Sequence, residues 1–358
     1  MKKNSKNAKL VVLISMLTIF VLGLTGCAKE DRLARQAEDI QMGRNALDNG
    51  QYDLAIDAFN AALGESIGRV GVTEIDINYY KAAAQNLSGN YEGAIDTYTA
   101  VIDYNNTDPS PYFLRGSVYL AIGNEPSAIS DYRSATALCD RDYELYIQIY
   151  NNLVNYGDQS QAMEFLNAAL AVNDKSATSY LMRGRIYYIM GQYELAENEL
   201  LTAQKKDKSE AAIYLAQVYE AEGRYEEAES VLDVYLSNGT PTCTALNTMG
   251  LLSMQKGDYR NALLYFDQGL DLEIVTNEQS LMRNKIIAME HLGMFSEARV
   301  YMNSYLAQYS KDEQAHREAI FLETRGASEV EQAPPEQEEQ TEDGEAAEGE
   351  PTDATPAA

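Results

Sequence analysis

Small and large apolar residues recur at fixed spacings along most of the chain, separated by polar positions. Each copy of the pattern has a glycine, an alanine five residues later and a large apolar residue four positions further. Side chains four residues apart lie on one face of an α-helix, so each copy predicts an amphipathic helix soon after the glycine. Neighbouring glycines are 32 to 39 residues apart, and the pattern occurs at Gly50-Ala55-Phe59, Gly89-Ala94-Tyr98, Gly123-Ala128-Tyr132, Gly157-Ala162-Leu166, Gly191-Ala196-Leu200, Gly223-Ala228-Leu232, Gly257-Ala262-Phe266 and Gly293-Ala298-Met302.

The glycine of each copy predicts the end of a first helix, because glycine adopts the left-handed conformation that closes a helix without steric cost. The alanine then allows the second helix to lie close to the first, and the large residue fills the layer between helix pairs. A single pair cannot bury its apolar face. Stacking of successive pairs therefore supplies the core, and most of the tyrosines and leucines are expected to be core residues.

An aromatic residue two positions after the glycine completes the pattern in six copies, at Tyr52, Tyr91, Tyr193, Tyr225, Tyr259 and Phe295. With upstream matches such as Tyr112, Gly116 and Tyr119, the pattern resembles the tetratricopeptide repeat (TPR), with tyrosine or an aliphatic residue in place of the family's tryptophan. The resemblance implies an all-α fold, a TPR-like superhelical solenoid of about eight helix-turn-helix repeats with a C-terminal capping helix.

The resemblance also implies a concave groove lined by the first helices, in which peptides or partner helices bind. Amides such as Asn151 can hydrogen-bond a peptide main chain, and Arg185 or Arg283 can pair with a carboxylate. Each of these residues can equally be an ordinary solvated side chain. With each glycine placed at repeat position 15, the groove residues are Tyr79, Phe113, Ser117, Ile147, Asn151, Leu181, Arg185, Tyr188, Ile213, Gln217, Asn247 and Arg283.

The terminal-carboxylate clamp of the family's chaperone adaptors is absent from this sequence. Its lysines, asparagines and arginine would stand at places occupied by Ile40, Arg44 and Tyr80. We therefore expect a partner other than a chaperone terminus.

The first residues predict a secretory signal. Four lysines within the first nine residues precede an almost wholly apolar run from Leu10 to Leu24, which is too short for the roughly 20 residues of a membrane-spanning helix. The following Leu24-Thr25-Gly26-Cys27 resembles the lipobox of bacterial lipoproteins. The resemblance implies cleavage before Cys27, a covalent diacylglyceryl lipid on its thiol, and anchoring at the extracytoplasmic face of the cell membrane. The alternative is an uncleaved signal anchor with an incidental cysteine.

The composition after residue 326 differs from that of the repeats. From Gly326 onward the chain has 11 acidic residues and no lysine or arginine, and it offers little to bury, so we expect disorder there. The predicted organisation is a signal peptide over 1–26, a lipidated cysteine and short tether over 27–35, a TPR-like solenoid over 36–310, a capping helix over 311–326 and an acidic disordered tail over 327–358.

The charge and cysteine content exclude several kinds of site. A formal charge of -27 repels phosphate backbones and argues against nucleic-acid binding. Three cysteines without a C-x-x-C pair and two histidines offer no set of metal ligands. Cys139 and Cys243 lie three repeats apart, too far for a disulfide, so we expect both thiols to be free. No cofactor beyond the lipid on Cys27 and no small-molecule substrate is expected.

One motif suggests catalysis. Gly64 to Gly68 matches G-x-S-x-G, the turn that presents a nucleophilic serine, here Ser66. That turn requires a preceding strand, whereas Ser66 follows a predicted helix, so we expect no enzyme activity. The sequence predicts a membrane-anchored scaffold or adaptor that binds envelope proteins. The alternatives are an envelope serine hydrolase using Ser66, or a solute-binding lipoprotein of a transporter.

Overall fold

A computed structural model of the chain describes residues 30–66, 70–239 and 241–330. The predicted signal peptide, Cys27 and residues 331–358 of the predicted tail lie outside the described residues. Within them the chain forms 17 α-helices and no strand, which confirms the all-α prediction. The helices are α1 (30–48), α2 (Tyr52–Gly64), α3 (Val72–Leu87), α4 (Tyr91–Tyr104), α5 (Ser110–Ala121), α6 (Glu125–Leu138), α7 (Tyr143–Tyr156), α8 (Gln159–Leu170), α9 (Ala177–Ile189), α10 (Tyr193–Lys205), α11 (Ala211–Ala221), α12 (Tyr225–Asn238), α13 (Cys243–Gln255), α14 (Tyr259–Leu270), α15 (Glu278–His291), α16 (Phe295–Gln308) and α17 (Glu313–Val330).

The helices belong to two compact units that divide between Val218 and Tyr219, inside α11. In the first unit α3 packs against α4, α5 against α6, α7 against α8, and α9 against α10. In the second unit α13 packs against α14, α15 against α16, and α17 against α16. First helices also contact each other, as α5 contacts α7 and α7 contacts α9. The predicted array of helix-turn-helix pairs is therefore confirmed within each unit.

The turn at Gly157 illustrates how the repeated glycine reverses the chain. Its φ of +107° lies in the left-handed region, and its N–H donates to the carbonyls of Leu153 and Val154 at the end of α7. The next residue, Asp158, accepts a hydrogen bond from the Gln161 N–H at 3.0 Å and so caps the start of α8. All eight glycines of the pattern have positive φ. The glycine and the polar residue after it explain why one helix ends and the next begins.

Close approach within a pair depends on a second set of glycines. A Cβ atom on Gly116 of α5 would lie 2.8 Å from Cε1 of Tyr132 on α6, so the ring occupies the space that a side chain would need. Tyr132 is fully buried in the core of the first unit. The same contact between a glycine of the first helix and a large residue of the second recurs at Gly43 with Phe59, Gly184 with Leu200 and Gly250 with Phe266.

The ends of the array differ from the predicted boundaries. Helix α1 begins at residue 30, so residues 30–35 of the predicted tether are helical. Gln36 on this helix is buried, and its Nε2 donates to the Ala62 carbonyl at 3.1 Å, which ties α1 to α2. Helix α17 covers Glu313–Val330, whereas the sequence placed the capping helix at 311–326 and the tail from 327. Asp312 caps α17 by accepting a hydrogen bond from the Ala315 N–H, so the helix begins at Glu313 and not at residue 311.

Both cysteines within the described residues carry free thiols. Cys243 is buried at the start of α13, where its Sγ donates to the Ile274 carbonyl at 3.2 Å. Cys139 is partly exposed after α6, and burial, together with the charge of Asp142, raises the pKa of its thiol. Each thiol therefore has its own local environment.

Candidate protein-binding surface

In the first unit, helix α7 presents a continuous polar row to solvent. Gln148, Asn151 and Asn155 are all exposed, and their spacings of three and four residues place them on one face of the helix. Their side-chain amides make no hydrogen bond within the described residues, unlike the neighbouring Asn152. We call Gln148, Asn151 and Asn155 the amide row. Each amide offers both a donor and an acceptor to an incoming molecule.

The guanidinium of Arg185 on α9 lies beside this helix and is already paired. Its Nη1 donates to Oε2 of Glu144 on α7 at 2.8 Å. On the other side, the guanidinium carbon lies 5.0 Å from the ring centroid of Tyr214 on α11. A partner carboxylate would therefore have to displace or join Glu144, a pairing that the sequence pattern did not predict. The side chains of Arg185 and Glu144 are 23% and 50% exposed, so a partner carboxylate can reach the pair.

Two aromatic residues assigned to the groove are held within the protein. The Tyr79 hydroxyl donates to Oδ2 of Asp108 at 2.9 Å, and its burial, followed by this hydrogen bond, raises the pKa of the phenol well above its usual range. The ring of Phe113 packs against that of Tyr132 with centroids 5.8 Å apart. Both side chains are only partly accessible, so their first contribution is to packing.

The remaining assigned residues of the first unit differ in accessibility. Tyr188 is partly buried, with its ring centroid 6.0 Å from that of Tyr193, and Gln217 is partly exposed. Ser117 accepts a hydrogen bond from Asn152. Three apolar residues of the assigned set are buried core residues and are not accessible to a partner: Ile147, Leu181 and Ile213.

In the second unit, both polar residues assigned to the groove have internal partners. Oδ1 of Asn247 on α13 accepts from Nδ2 of Asn284 on α15 at 2.9 Å. Arg283 on α15 donates to Oε2 of Glu318 on α17 at 2.6 Å and is only 14% exposed. The carboxylate expected from a partner is thus supplied by α17. Asn151, in the first unit, has an exposed polar side chain of the predicted kind.

Ser66 lies just after the end of α2 and not after a strand. Its hydroxyl donates to Oε1 of Glu74 at 2.9 Å and accepts from Nε2 of Gln36 at 3.0 Å. No imidazole is among the hydrogen-bond partners of Ser66 in the described residues. The serine joins α1 to the start of α3, which is a structural role.

The described residues contain no group of three or more histidine, cysteine, aspartate or glutamate side chains arranged to hold a metal ion. No helix in this part of the chain is long and apolar enough to span a bilayer.

Two segments match models of a known repeat family. Residues 84–123 match a model described as TPR repeat, and residues 181–241 match one described as tetratricopeptide repeat. Over these two segments the chain is similar to the tetratricopeptide repeat. The first match covers the end of α3, all of α4 and α5 and the turns between them, and the second covers helices on both sides of the Gly191 and Gly223 turns. Both models describe a repeat, and neither names a reaction.

The individual proteins to which the chain is similar are distant in sequence. TPR repeat-containing protein MJ1428 of Methanocaldococcus jannaschii is 22% identical over 283 residues, which are 70% of this chain and 47% of that protein. The chain thus spans about half the length of this relative. A tetratricopeptide repeat protein from Parabacteroides merdae has a TM-score of 0.45 and 16% identity, covering 72% of this chain and 99% of that one. YrrB, described as a TPR protein with an unusual peptide-binding site, has a TM-score of 0.31 and 20% identity, covering 52% and 97%.

Proposed function

We propose that this repeat protein is a scaffold that binds an extended protein segment through the amide row of α7. The observation that carries the proposal is the exposed face of Gln148, Asn151 and Asn155, whose amides make no hydrogen bond within the described residues. The three aligned amides add little to the stability of the folded protein, since exposed polar groups contribute little to stability. Their alignment is useful when a partner supplies hydrogen-bonding groups.

An extended peptide supplies such groups at regular intervals. Main-chain N–H and C=O groups alternate along an unpaired strand, and asparagine or glutamine amides satisfy both kinds. The adjacent Arg185–Glu144 pair adds one charge of each sign to the surface. Recognition through main-chain groups and one exchangeable ion pair would favour a segment that carries a carboxylate near its bound region.

A cross-linking experiment tests this assignment. A photoreactive residue replaces Asn151 in cells, and the control replaces Asn167, an exposed asparagine on α8, the second helix of the same repeat. We expect specific covalent adducts from position 151 and none from position 167. Equal adducts from both positions, or none from either, would contradict the proposal.

We further propose that the protein acts at the extracytoplasmic face of the cell membrane, anchored by lipid on Cys27. Support comes from the basic segment, the short apolar run and Leu24-Thr25-Gly26-Cys27. One acyl chain binds a bilayer only marginally, whereas two or three bind it firmly, so multiple acylation would keep the scaffold at the envelope. Its partners would then be envelope proteins.

The anchor has a direct test. Cells are labelled with a clickable palmitate analogue, and the wild-type chain is compared with the Cys27→Ser variant. We expect label and membrane association only in the wild type, while Cys139→Ser serves as the control and keeps both. Equal labelling of wild type and Cys27→Ser would refute the anchor without affecting the amide-row proposal.

The two alternative functions receive no support from the described residues. Hydrolases of this motif activate the serine through a histidine, whereas the hydroxyl of Ser66 is hydrogen-bonded to Glu74 and Gln36. A fluorophosphonate probe should therefore fail to label Ser66. A solute-binding lipoprotein fold of alternating strands and helices requires a sheet, and the described residues form no strand.

A further inference from the structure

A partly buried group of charges joins α15 to α17. Arg283 donates from Nη2 to Oε2 of Glu318 at 2.6 Å, and its Nε lies 4.0 Å from Oδ2 of Asp312. Arg283 and Glu318 are 14% and 17% exposed, so solvent screens them only weakly. A second carboxyl, Glu290, follows Arg283 by seven residues and therefore lies on the same face of α15.

Glu290 and Glu318 bring two carboxyl groups within hydrogen-bonding reach of each other. Oε1 of Glu290 and Oε1 of Glu318 are both buried, and neither has a hydrogen-bond donor within the described residues. Two buried acceptors without a donor are costly, and two adjacent negative charges repel. A single proton placed between the carboxyls would satisfy both oxygens and remove the repulsion.

We propose that Glu290 and Glu318 share one proton, and that this proton makes the docking of α17 against α15 depend on pH. The arrangement acts as a latch: with the proton bound, the pair is a hydrogen bond between the two helices. Without it, the same two groups are like charges held together in a site of low polarity. The inference concerns the end of the second unit and does not rest on the binding role of α7.

Within the part of the chain that the structure describes, the cations near the pair are too few to neutralise it. On α15, Arg283 is the cation that faces Glu290, and it is already paired with Glu318 and close to Asp312. On α17, the guanidinium of Arg325 lies over the rings of Phe295 and Phe321.

Among the described residues, the helices packed against α15 add no cation to the pair. From α16, Tyr305 donates its hydroxyl proton to Asp312 at 2.6 Å. From α14, Asp267 pairs with Lys285 at 2.6 Å. Also from α14, Tyr259 stacks on His291. From α13, the contact is the neutral amide of Asn247.

The direction of the pH effect follows from the environment of Glu290. Burial first, and then the neighbouring Glu318, raise the pKa of Glu290 from 4.5 to about 7, while Arg283 opposes the shift. The docked state therefore binds the proton more tightly than a solvated carboxyl does. Its contribution to docking is complete below pH 4.5, is lost as the pH rises through about 7, and stays lost above that pH.

Undocking would expose an apolar layer. Ala315 and Leu322 of α17 are fully buried against a core that contains Met302 and Tyr305 of α16. Release of α17 would uncover these side chains. The latch would thus control access to the C-terminal end of the helix array.

Hydrogen exchange of the full-length chain tests the latch. Exchange of amides in 313–325 is measured between pH 5 and pH 8 and corrected for the intrinsic pH dependence, with amides of α13 as the internal reference. One pKa unit corresponds to a tenfold change in an equilibrium constant. We expect opening of α17 to become about tenfold or more easier at pH 8 than at pH 5, while α13 stays unchanged.

Two variants make the result specific. Glu290→Gln keeps the shape and provides a permanent donor to Glu318, so opening should change by less than about twofold across the range. The control, Glu323→Gln, removes an exposed carboxylate of α17 and should retain the wild-type pH dependence. A wild type without pH dependence, or a Glu290→Gln variant that retains it, would overturn the proposal.

Discussion

Arg115 and Asp131 form a bidentate ion pair between α5 and α6. Nε and Nη2 of Arg115 each donate to one carboxylate oxygen of Asp131 at 2.8 Å, and Nη1 donates to the Thr99 hydroxyl of α4 at 2.8 Å. Two repeats later, Arg183 pairs with Glu199 across the same separation of 16 residues. The charge-assisted hydrogen bonds tie each first helix to its second helix at one fixed register.

Breaking this pair on one side should be strongly destabilising. Arg115→Ala leaves the Asp131 carboxylate, which is 8% exposed, without its cation, and we expect a loss of about 3 kcal/mol in the free energy of unfolding. Arg133→Ala is the matched control, because Arg133 and its partner Glu164 are 63% and 58% exposed and their pair should contribute less than about 1 kcal/mol. Urea unfolding monitored by circular dichroism measures both. Equal losses would mean that burial does not set the strength of these pairs.

Gly116 should tolerate no side chain. The Cβ of Gly116→Ala would lie 2.8 Å from the Tyr132 ring and 3.3 Å from the Ala128 carbonyl oxygen, so α5 must move away from α6. We expect a loss of about 1–3 kcal/mol in the free energy of unfolding. Gly64→Ala, at the end of α2, meets no atom within 4 Å and should be neutral or slightly stabilising. Thermal unfolding of the two variants side by side distinguishes packing from general helix propensity.

Substitutions of the neighbours Asn151 and Asn152 should have different effects, one on partner binding and the other on stability. Nδ2 of Asn152 donates to the Ser117 hydroxyl at 3.0 Å and to the Tyr132 hydroxyl at 3.2 Å, so Asn152→Ala should lower the free energy of unfolding by about 1–2 kcal/mol. Asn151→Ala should change it by less than about 0.5 kcal/mol, because its side chain is exposed. Partner capture should be reduced by Asn151→Ala alone when the variants are compared at equal folded concentration. Loss of capture only in Asn152→Ala would contradict the amide-row proposal.

The folded conformation of the loop between α8 and α9 should be less stable in acid. The hydroxyl of Ser179, followed by the N–H of Ser176, donates to Asp174 and lowers the pKa of its carboxyl to about 2. The folded state therefore favours the carboxylate. The stabilisation is present above the ordinary pKa of 3.8 and is lost as the pH falls through about 2. NMR titration of the Asp174 side chain should give this low midpoint, and Asp174→Asn should abolish the acid-dependent loosening of the loop.

The sequence predicted the helix pairs because their determinants are local. A glycine such as Gly157 closes one helix by its own backbone conformation, and Asp158 starts the next by capping it, so both effects act within a few residues. The spacing of alanine and large apolar residues likewise reports which face of a helix is buried. Repetition strengthened each inference, since the same signals recur at every turn.

The candidate surface was predictable only in part. The repeat register identified Asn151 as exposed, and the structure adds Gln148 and Asn155 on either side of it. The fixed separation of 16 residues in Arg115–Asp131 and Arg183–Glu199 is a signal in the sequence that the pattern of apolar positions does not contain. A comparison of charged residues at equal repeat positions would have found it.

By itself the sequence determined the helices, their pairing and their buried faces, because each follows from backbone conformation and periodicity within one repeat. Only the tertiary structure decided which acidic and basic side chains pair with each other. Arg185 pairs with Glu144 at a separation of 41 residues and Arg283 with Glu318 at 35, so the partner comes from a neighbouring repeat. A long side chain can reach several acceptors. The acceptor with which it pairs depends on the distances between helices, and periodicity does not specify those distances.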